Sequence, residues 1–320
     1  MNDCHVLIVS TIADVATDDV VRRLSARGAV YTRINTEDYP FSKTLSFAAG
    51  MPASGGRLDI DGRSIEPPTA AWYRRMRTPA KPEAMDSGVY DFCLHETRAT
   101  LLGSILSFTT RWMSHPASVW TSEFKPFQLS MATQIGLPIP PTIITNDPGE
   151  IRRAFDQFGA MVAKPVRRGY ITKDGSNSAI FTSQVLEEHM DQVESARYSP
   201  AIYQALIPKR FDVRVTVVGS QLFAVAIDSQ SDPAASIDWR LTDNPALAHH
   251  PLKLPERLAD HLLRLMKSLG LSFGAIDLVQ KPDGEFVFLE VNPSGQWLWL
   301  DRILDLHISD AVADWLTKRG

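Results

Sequence analysis

The sequence predicts an α/β fold of the α+β kind, and three observations carry that reading. His5 to Ser10 is an apolar strand, Asp18 to Ala26 a helix stopped by Gly28, and Val30 to Ile34 a second strand, so the chain opens as a βαβ unit. Apolar runs at Phe211–Val218 and Gln221–Ile227 meet at Gly219-Ser220, a hairpin. Two more, Phe273 onward and Phe286–Asn292, flank Lys281-Pro282-Asp283-Gly284, where Gly284 supplies the positive φ of a tight turn. With 320 residues the chain has room for two or three domains.

Composition narrows the class. The chain is 44% hydrophobic and 22% charged, ordinary for a globular protein, and its net charge of −4 gives no reason to expect nucleic acid or an anionic membrane. No apolar run approaches the roughly 18 residues a membrane helix needs. The start, MNDCHVLIVS, does not read as a signal peptide, and Cys4 and Cys93 form neither a metal spacing nor a disulfide framework. These features fit a reduced cytoplasm.

In chain order, Leu45 to Ile65 reads as short antiparallel strands with turns at Gly55-Gly56 and Asp61-Gly62. Ala70 to Tyr73 is a strand that ends in Arg74, Arg75 and Arg77, either an anion site or a solvated basic loop. Tyr90 to Trp112 is helical, and Met113–Pro116 is a domain boundary. Ser122 caps a helix to Ile135 with Lys125 in its first turn, where a cation opposes the helix dipole and calls for an anionic partner or solvent. Asp147-Pro148 opens a helix to Phe158. Lys164 lies near the end of the strand Met161–Pro165. The glycine-bearing segment 167–178 follows, with Lys173 solvated in it, a combination that suits polyphosphate although no Walker A loop or G-x-G-x-x-G is present. Ala179–Thr182 is a strand, Ser183–Ala196 an acidic helix, and Ala201–Ile207 a strand whose Gln204-Ala205-Leu206 is a hinge. The long polar segment 229–251, the helix Pro255–Leu269 and a terminal helix Ile303–Thr317 complete the pattern.

The closing hairpin carries the chemistry. Its second strand is apolar on both faces, yet Glu290 and Asn292 fall on the Phe288 face by the two-residue repeat. A two-residue loop at Asp283-Gly284 pairs Asp277 with Glu290; a three-residue bulged turn slips the pairing by one and turns Asp277 to the other face. In the first register two facing carboxylates and an amide form a ligand set that Mg²⁺ accepts. The alternative is an ordinary hairpin with edge charges.

The order of Lys125, Lys164, a glycine-bearing loop, a hinge at Gln204, Asp212-Val-Arg214, Asp277 and Glu290-Val-Asn292 resembles the ATP-grasp superfamily of carboxylate ligases. The motif F-L-E-V-N-P-S-G-Q-W, with RINTEDYP, WYRR and Ile237-Asp238-Trp239-Arg240, resembles the microviridin-type (graspetide) ligases that macrocyclise ribosomal peptides. The resemblance implies an ATP-grasp fold behind a pre-ATP-grasp α/β domain, divided as 1–115 (pre-ATP-grasp), 116–205 (linker and lid) and 206–320 (catalytic subdomain). It implies ATP and Mg²⁺. Lys125 and Lys164 would hold phosphates, Gln204 and Leu206 would meet adenine, and Lys209 or Asp212 would reach the ribose. Asp277, Glu290 and Asn292 would bind metal, while Arg214 and Arg240 serve the transferring phosphoryl group and an acidic partner. Arg74, Arg75 and Asp238 would contact substrate. The implied reaction activates a carboxylate as an acyl phosphate and crosslinks a precursor peptide, within a homodimer that meets neither nucleic acid nor membrane. A ligase joining free amino acids or other small carboxylates, and a non-catalytic ATP-binding regulator, are the alternatives.

Overall fold

A computed structural model describes residues 4–50, 56–167, 169–173, 176–242, 244 and 247–318, with backbone alone at 170–173 and 176–177. The expected turn residue Gly55 lies outside the described residues, as does the side chain of Lys173. The chain forms two compact units. One runs to Pro116 and includes 296–301 and 307 onward; the other is 117–295 with 302–306.

The first unit is built on the βαβ opening: β1 (His5–Ser10), α1 (Val15–Ala26) and β2 (Val30–Asn35). Asp14 caps α1 by accepting the Thr17 N–H. A small antiparallel sheet follows: β3 (Leu45–Ala48), β4 (Arg57–Ile60) and β5 (Arg63–Ser64). Asp61 and Gly62, both at positive φ, close its second hairpin. β6 (Ala70–Tyr73) then returns beside β1, α2 spans Ser87–Leu106, and β7 (Arg111–Trp112) completes a parallel sheet of order β2-β1-β6-β7. The helix expected to reach Trp112 therefore stops at Leu106, and Arg111-Trp112 pairs with Ala70-Ala71 instead.

The second unit begins with α3 (Pro116–Ser122) and α4 (Lys125–Gln134). Ser122 ends α3 and its hydroxyl donates to the Leu269 carbonyl, so Phe124, not Ser122, is the N-cap of α4. β8 (Thr142–Thr145), α5 (Pro148–Phe158) and β9 (Met161–Pro165) follow, with Asp147 capping α5 as its sequence dictates. β10 (Tyr170–Lys173) and β11 (Ser176–Ala179) form a hairpin where a loop was expected. The expected acidic helix starts as a strand, β12 (Ser183–Val185), because its residues pair with Ala163, Val162 and Met161 of β9; only Glu187–Tyr198 coils, as a 3₁₀ helix. With β13 (Ala201–Ala205) these strands make a sheet of order β12-β9-β13-β8. A second antiparallel sheet, β16-β15-β14-β17-β18, comprises β14 (Phe211–Val218), β15 (Gln221–Ile227), β16 (His249–Pro251), β17 (Phe273–Gln280) and β18 (Phe286–Asn292), with α6 (Glu256–Ser268) between β16 and β17 in sequence. The described part of 229–251 holds three short 3₁₀ turns before β16.

The expected terminal helix is two, α7 (Leu298–Leu304) and α8 (Ile308–Thr317). Asp305 and His307 take positive φ between them, and the Asp301 carboxylate accepts the N–H groups of Ile308 and Ser309 at the new helix start. α8 packs on α1, where Arg23 and Arg27 pair with Asp310 at 3.0 Å, so this end of the expected 206–320 subdomain belongs to the first unit.

Candidate active site

Both open readings of the closing hairpin are half realised. The turn is the three-residue kind: Lys281 donates to the Glu285 carbonyl at 2.8 Å around Pro282-Asp283-Gly284, with Gly284 at φ 91. Taken alone, this register would oppose Asp277 to Leu289. A β-bulge lies between Asp277 and Leu278 in the pairing: Leu278 faces Phe288 while Asp277 faces Glu290, leaving Leu289 as the extra residue. The bulge thus restores the carboxylate pair that the turn would have separated. It also corrects the assignment of faces. Phe288 sits on the Leu278 side and is fully buried, whereas Leu289 and Glu290, consecutive residues, both line the cleft.

β14 extends the same face. Arg214 lies directly across from Asp277, and its guanidinium reaches both carboxylate oxygens, at 2.7 and 2.9 Å. Asn292 gives its amide N–H groups to Asp277 at 2.9 Å and Glu290 at 2.8 Å. Lys125, one of the first residues of α4, pairs with Glu290, which answers the unfavourable dipole position by a direct anionic partner. Burial alone would push the Glu290 carboxyl up, but the Lys125 and Lys164 ammonium groups hold it well below the usual range. Burial raises Asp277, and its neighbour Glu290 adds to that, against the opposing pull of Arg214.

Three residues to which motif reading gave no role build this geometry. Gln128 on α4 grips the exposed edge of β18: its amide donates to the Val291 carbonyl at 2.7 Å and accepts the Val291 N–H at 2.8 Å. Gly295 lies so close to the arginine that an added Cβ would sit 2.9 Å from Arg214 Nη2 and 2.2 Å from the Ala275 Cβ. Thr142 accepts from the Gln204 amide at 2.8 Å. Only a general rule, that a polar residue in an inward helical position needs partners, could have flagged Gln128.

The other sheet supplies the opposite wall. Ile202 pairs with Lys164 and Gln204 with Val162, so Gln204 and Lys164 share a face, and Lys164 donates to the Gln204 side chain at 3.1 Å. Gln204 is buried and held between Lys164 and Thr142, and the Leu206 N–H is taken by the Ala160 carbonyl at 2.8 Å. Gln204 and Leu206 both line the cleft, Gln204 held against Lys164 and Leu206 with its N–H engaged. Burial pushes the Lys164 ammonium below its ordinary value. Lys209 bridges Asp212 at 2.7 Å and the Ile237 carbonyl at 3.2 Å, tying the 229–251 segment to the floor. Asp238 grips the Arg240 guanidinium at 2.8 and 2.6 Å. It is buried beneath Arg240 and lines the cleft.

These groups surround a cleft of about 780 Å³, its open mouth included, with Pro140, Val162 and Leu289 among its apolar walls. Lys125, Lys164, Lys209, Arg214 and Arg240 outnumber Asp212, Asp238, Asp277 and Glu290 by one positive charge. Such a site favours a polyanion. Among the described residues no group of three or more His, Cys, Asp or Glu side chains is placed to hold a metal. The two carboxylates and the Asn292 amide nevertheless fit Mg²⁺, which takes few protein oxygens and completes its shell with phosphates and water. Rotating the amide would turn its oxygen toward that position.

Arg74 and Arg75 belong to a different setting. Arg74 is fully buried, 3.5 Å from Asp14 and 4.8 Å over the Trp297 ring, and Arg75 stands 3.7 Å from the same carboxylate. The expectation that Arg74 contacts substrate is replaced by a structural role within the first unit.

Residues 5–119 match the model of the MvdD pre-ATP-grasp domain. The fold is similar to that of a Chryseobacterium gregarium RiPP-associated ATP-grasp ligase, solved with ADP and a leader and core peptide. That match has 30% identity over 98% of this chain and 96% of the other, with a TM-score of 0.89. It is also similar to the macrocyclase MdnC of Microcystis aeruginosa, solved with its precursor peptide MdnA: 33% identity, 97% and 98% coverage, TM-score 0.87. Human N-acetylaspartylglutamate synthase A is 23% identical over 90% of this chain and 70% of its own length. Identity of 30% or more along nearly the whole length of both solved ligases identifies the family: the chain belongs to the graspetide-type ATP-grasp ligases and is an ATP-dependent ligase.

Proposed function

We propose that this ligase uses ATP and Mg²⁺ to activate a side-chain carboxylate of a ribosomal precursor peptide, and that a hydroxyl or amine of the same peptide attacks to form an ester or amide crosslink. The observation that supports this reading best is the full-length similarity to ligases solved with leader, core or precursor peptides. The cleft supplies the matching chemistry.

Lys125 and Lys164 bind the phosphates, each leaving its resting partner, Glu290 or Gln204, as the polyanion enters. Arg214 lies against the γ-phosphoryl group, and Arg240, aimed by Asp238, meets the substrate carboxylate. Asp212 and Lys209, which line the cleft, meet the ribose. Asp277, Glu290 and Asn292 would hold Mg²⁺, whose charge would offset that of the phosphates. The carboxylate oxygen takes the γ-phosphoryl group and releases ADP; the nucleophile then adds to the acyl carbon, phosphate leaves, and a proton passes to solvent. Positioning and charge neutralisation account for the first step, and no protein nucleophile is needed. The described part of 229–251 borders the cleft and closes over the reacting segment. The full reading is a cytoplasmic homodimer; the net charge of −4 offers nucleic acid no attraction.

The test is to seek a short acidic Thr/Ser- or Lys-bearing peptide in the reading frames beside the gene and to incubate it with the enzyme, ATP and Mg²⁺. Peptide mass should fall by about 18 Da per crosslink, one water. Unchanged peptide mass with joining of free amino acids would replace this reading by the small-molecule ligase.

A further inference from the structure

We infer that Gln128 is a positioning residue of the ligase, the joint that fixes Lys125 against Glu290. The inference rests on the roles proposed above for those two residues. β18 is the edge strand of its sheet, so the outer polar groups of Val291 have no neighbouring strand. Gln128 takes the place of one, accepting the Val291 N–H at 2.8 Å and donating to its carbonyl at 2.7 Å, and the same amide donates to the Ser122 carbonyl ahead of α4. Val291 lies between Glu290 and Asn292 in sequence, and Gln128 lies one helical turn after Lys125. One side chain therefore fixes both the phosphate-binding lysine and the metal-binding strand. It is 1% exposed and does not line the cleft, so it acts through its neighbours and not by contact with nucleotide.

Position 128 lies on the inward stripe of α4 with Leu129 and Ala132, which are buried. Simple packing would be met by leucine there. An amide is needed only where an acceptor and a donor must be read together. Misplacing a reacting group by about 1 Å can cost on the order of 100-fold in rate.

The experiment measures kcat and ATP KM for Gln128→Leu and Gln128→Glu across pH 6 to 8, with melting temperature as a control. Gln128→Leu keeps shape but neither bond to Val291; kcat should fall at least tenfold at every pH in the folded enzyme. An ionised Gln128→Glu repels the Val291 carbonyl and Glu290, but once protonated it carries one donor and one acceptor and can restore both bonds. Lys125 and Glu290 are the ionisable side chains of α4 and β18, Glu123 precedes α4, and the buried residues of α6, Leu262, Leu265 and Met266, are not ionisable. The kcat of this variant relative to wild type should therefore rise about tenfold or more from pH 8 to pH 6, a recovery that a purely structural role does not produce. A relative kcat that stays flat with pH, or a Gln128→Leu kcat within twofold of wild type, would overturn the inference. If Gln128→Leu does not fold, the pH response of Gln128→Glu decides alone. Lys125→Ala and Glu290→Gln run in parallel. If they are inactive while the Gln128 variants are normal, only the positioning inference fails; if they are fully active, the site reading itself fails.

Discussion

Two charged clusters in this chain look alike in sequence and differ in structure. In the first unit, Asp14 faces Arg74 and Arg75; in the second, Asp277 and Glu290 face Arg214, Lys125 and, at longer range, Lys164. The Asp14–Arg74 pair of the first is sealed: Arg74 is fully buried between the rings of Trp72 and Trp297, at 5.8 and 4.8 Å, and only Arg75 at its rim reaches solvent. The second opens on a cleft, with Asp277 and Glu290 side chains 18% and 17% exposed. Charge and residue type do not separate a structural ion pair from a binding site; access does. Aromatic stacking satisfies an arginine that nothing needs to reach, whereas cations left at an open wall can exchange a carboxylate for a phosphate.

The comparison breaks most sharply at Glu290. Glu290→Gln keeps the volume but leaves the Lys125 and Lys164 charges without their anionic partner, so melting temperature should fall. ATP turnover should fall by about 100-fold or more if this carboxylate holds the metal, and turnover at the wild-type rate would return Glu290 to the structural class.

Next in size is Gly295→Ala. The new methyl group would meet Ala275 and Arg214 at distances no side chain tolerates. Either the arginine shifts, lowering kcat, or the backbone does, at roughly 1–3 kcal/mol of stability. Denaturant unfolding and steady-state kinetics separate the two outcomes, and a variant normal in both contradicts the packing.

Lys164→Ala removes a charge-assisted contact worth about 1.5–3 kcal/mol, so ATP affinity should drop roughly 10- to 100-fold. Calorimetric titration with a non-hydrolysable analogue would show this, and unchanged affinity would remove Lys164 from the phosphate site.

The sealed cluster gives the smallest effect on chemistry and a defined one on stability. Burial alone would raise Asp14, but Arg74 and Arg75 hold its carboxyl below the ordinary 3.8. A depressed carboxyl contributes stability above its unfolded value and loses it as pH falls through the folded one. Asp14→Asn should cost about 3 kcal/mol at pH 7, since buried guanidinium charge is left without its partner. The gap to wild type should narrow below pH 3.8. A gap independent of pH would mean that Asp14 acts through its hydrogen bonds to Thr17 and Ser10 alone.

By itself the sequence determined what short-range periodicity and turn chemistry determine. The βαβ opening, the hairpin at Gly219, the cap at Asp147, and Asp212 with Arg214 on one strand face are all read from residues a few positions apart. It also named the two carboxylates, because a charged residue within an apolar strand stands out in the pattern. Tertiary structure decided the rest. The three-residue turn, one of the two the sequence left open, and the Leu289 bulge cancel in register, and the bulge has no sequence mark, because it is fixed by how the paired strand twists and packs. Gln128 reads a strand 163 positions away. Arg74 became structural only when Asp14 and Trp297 closed on it from distant parts of the chain. Local propensity speaks for neighbours in sequence, but register, access and the partner of each buried charge are settled by contacts between residues far apart in the chain.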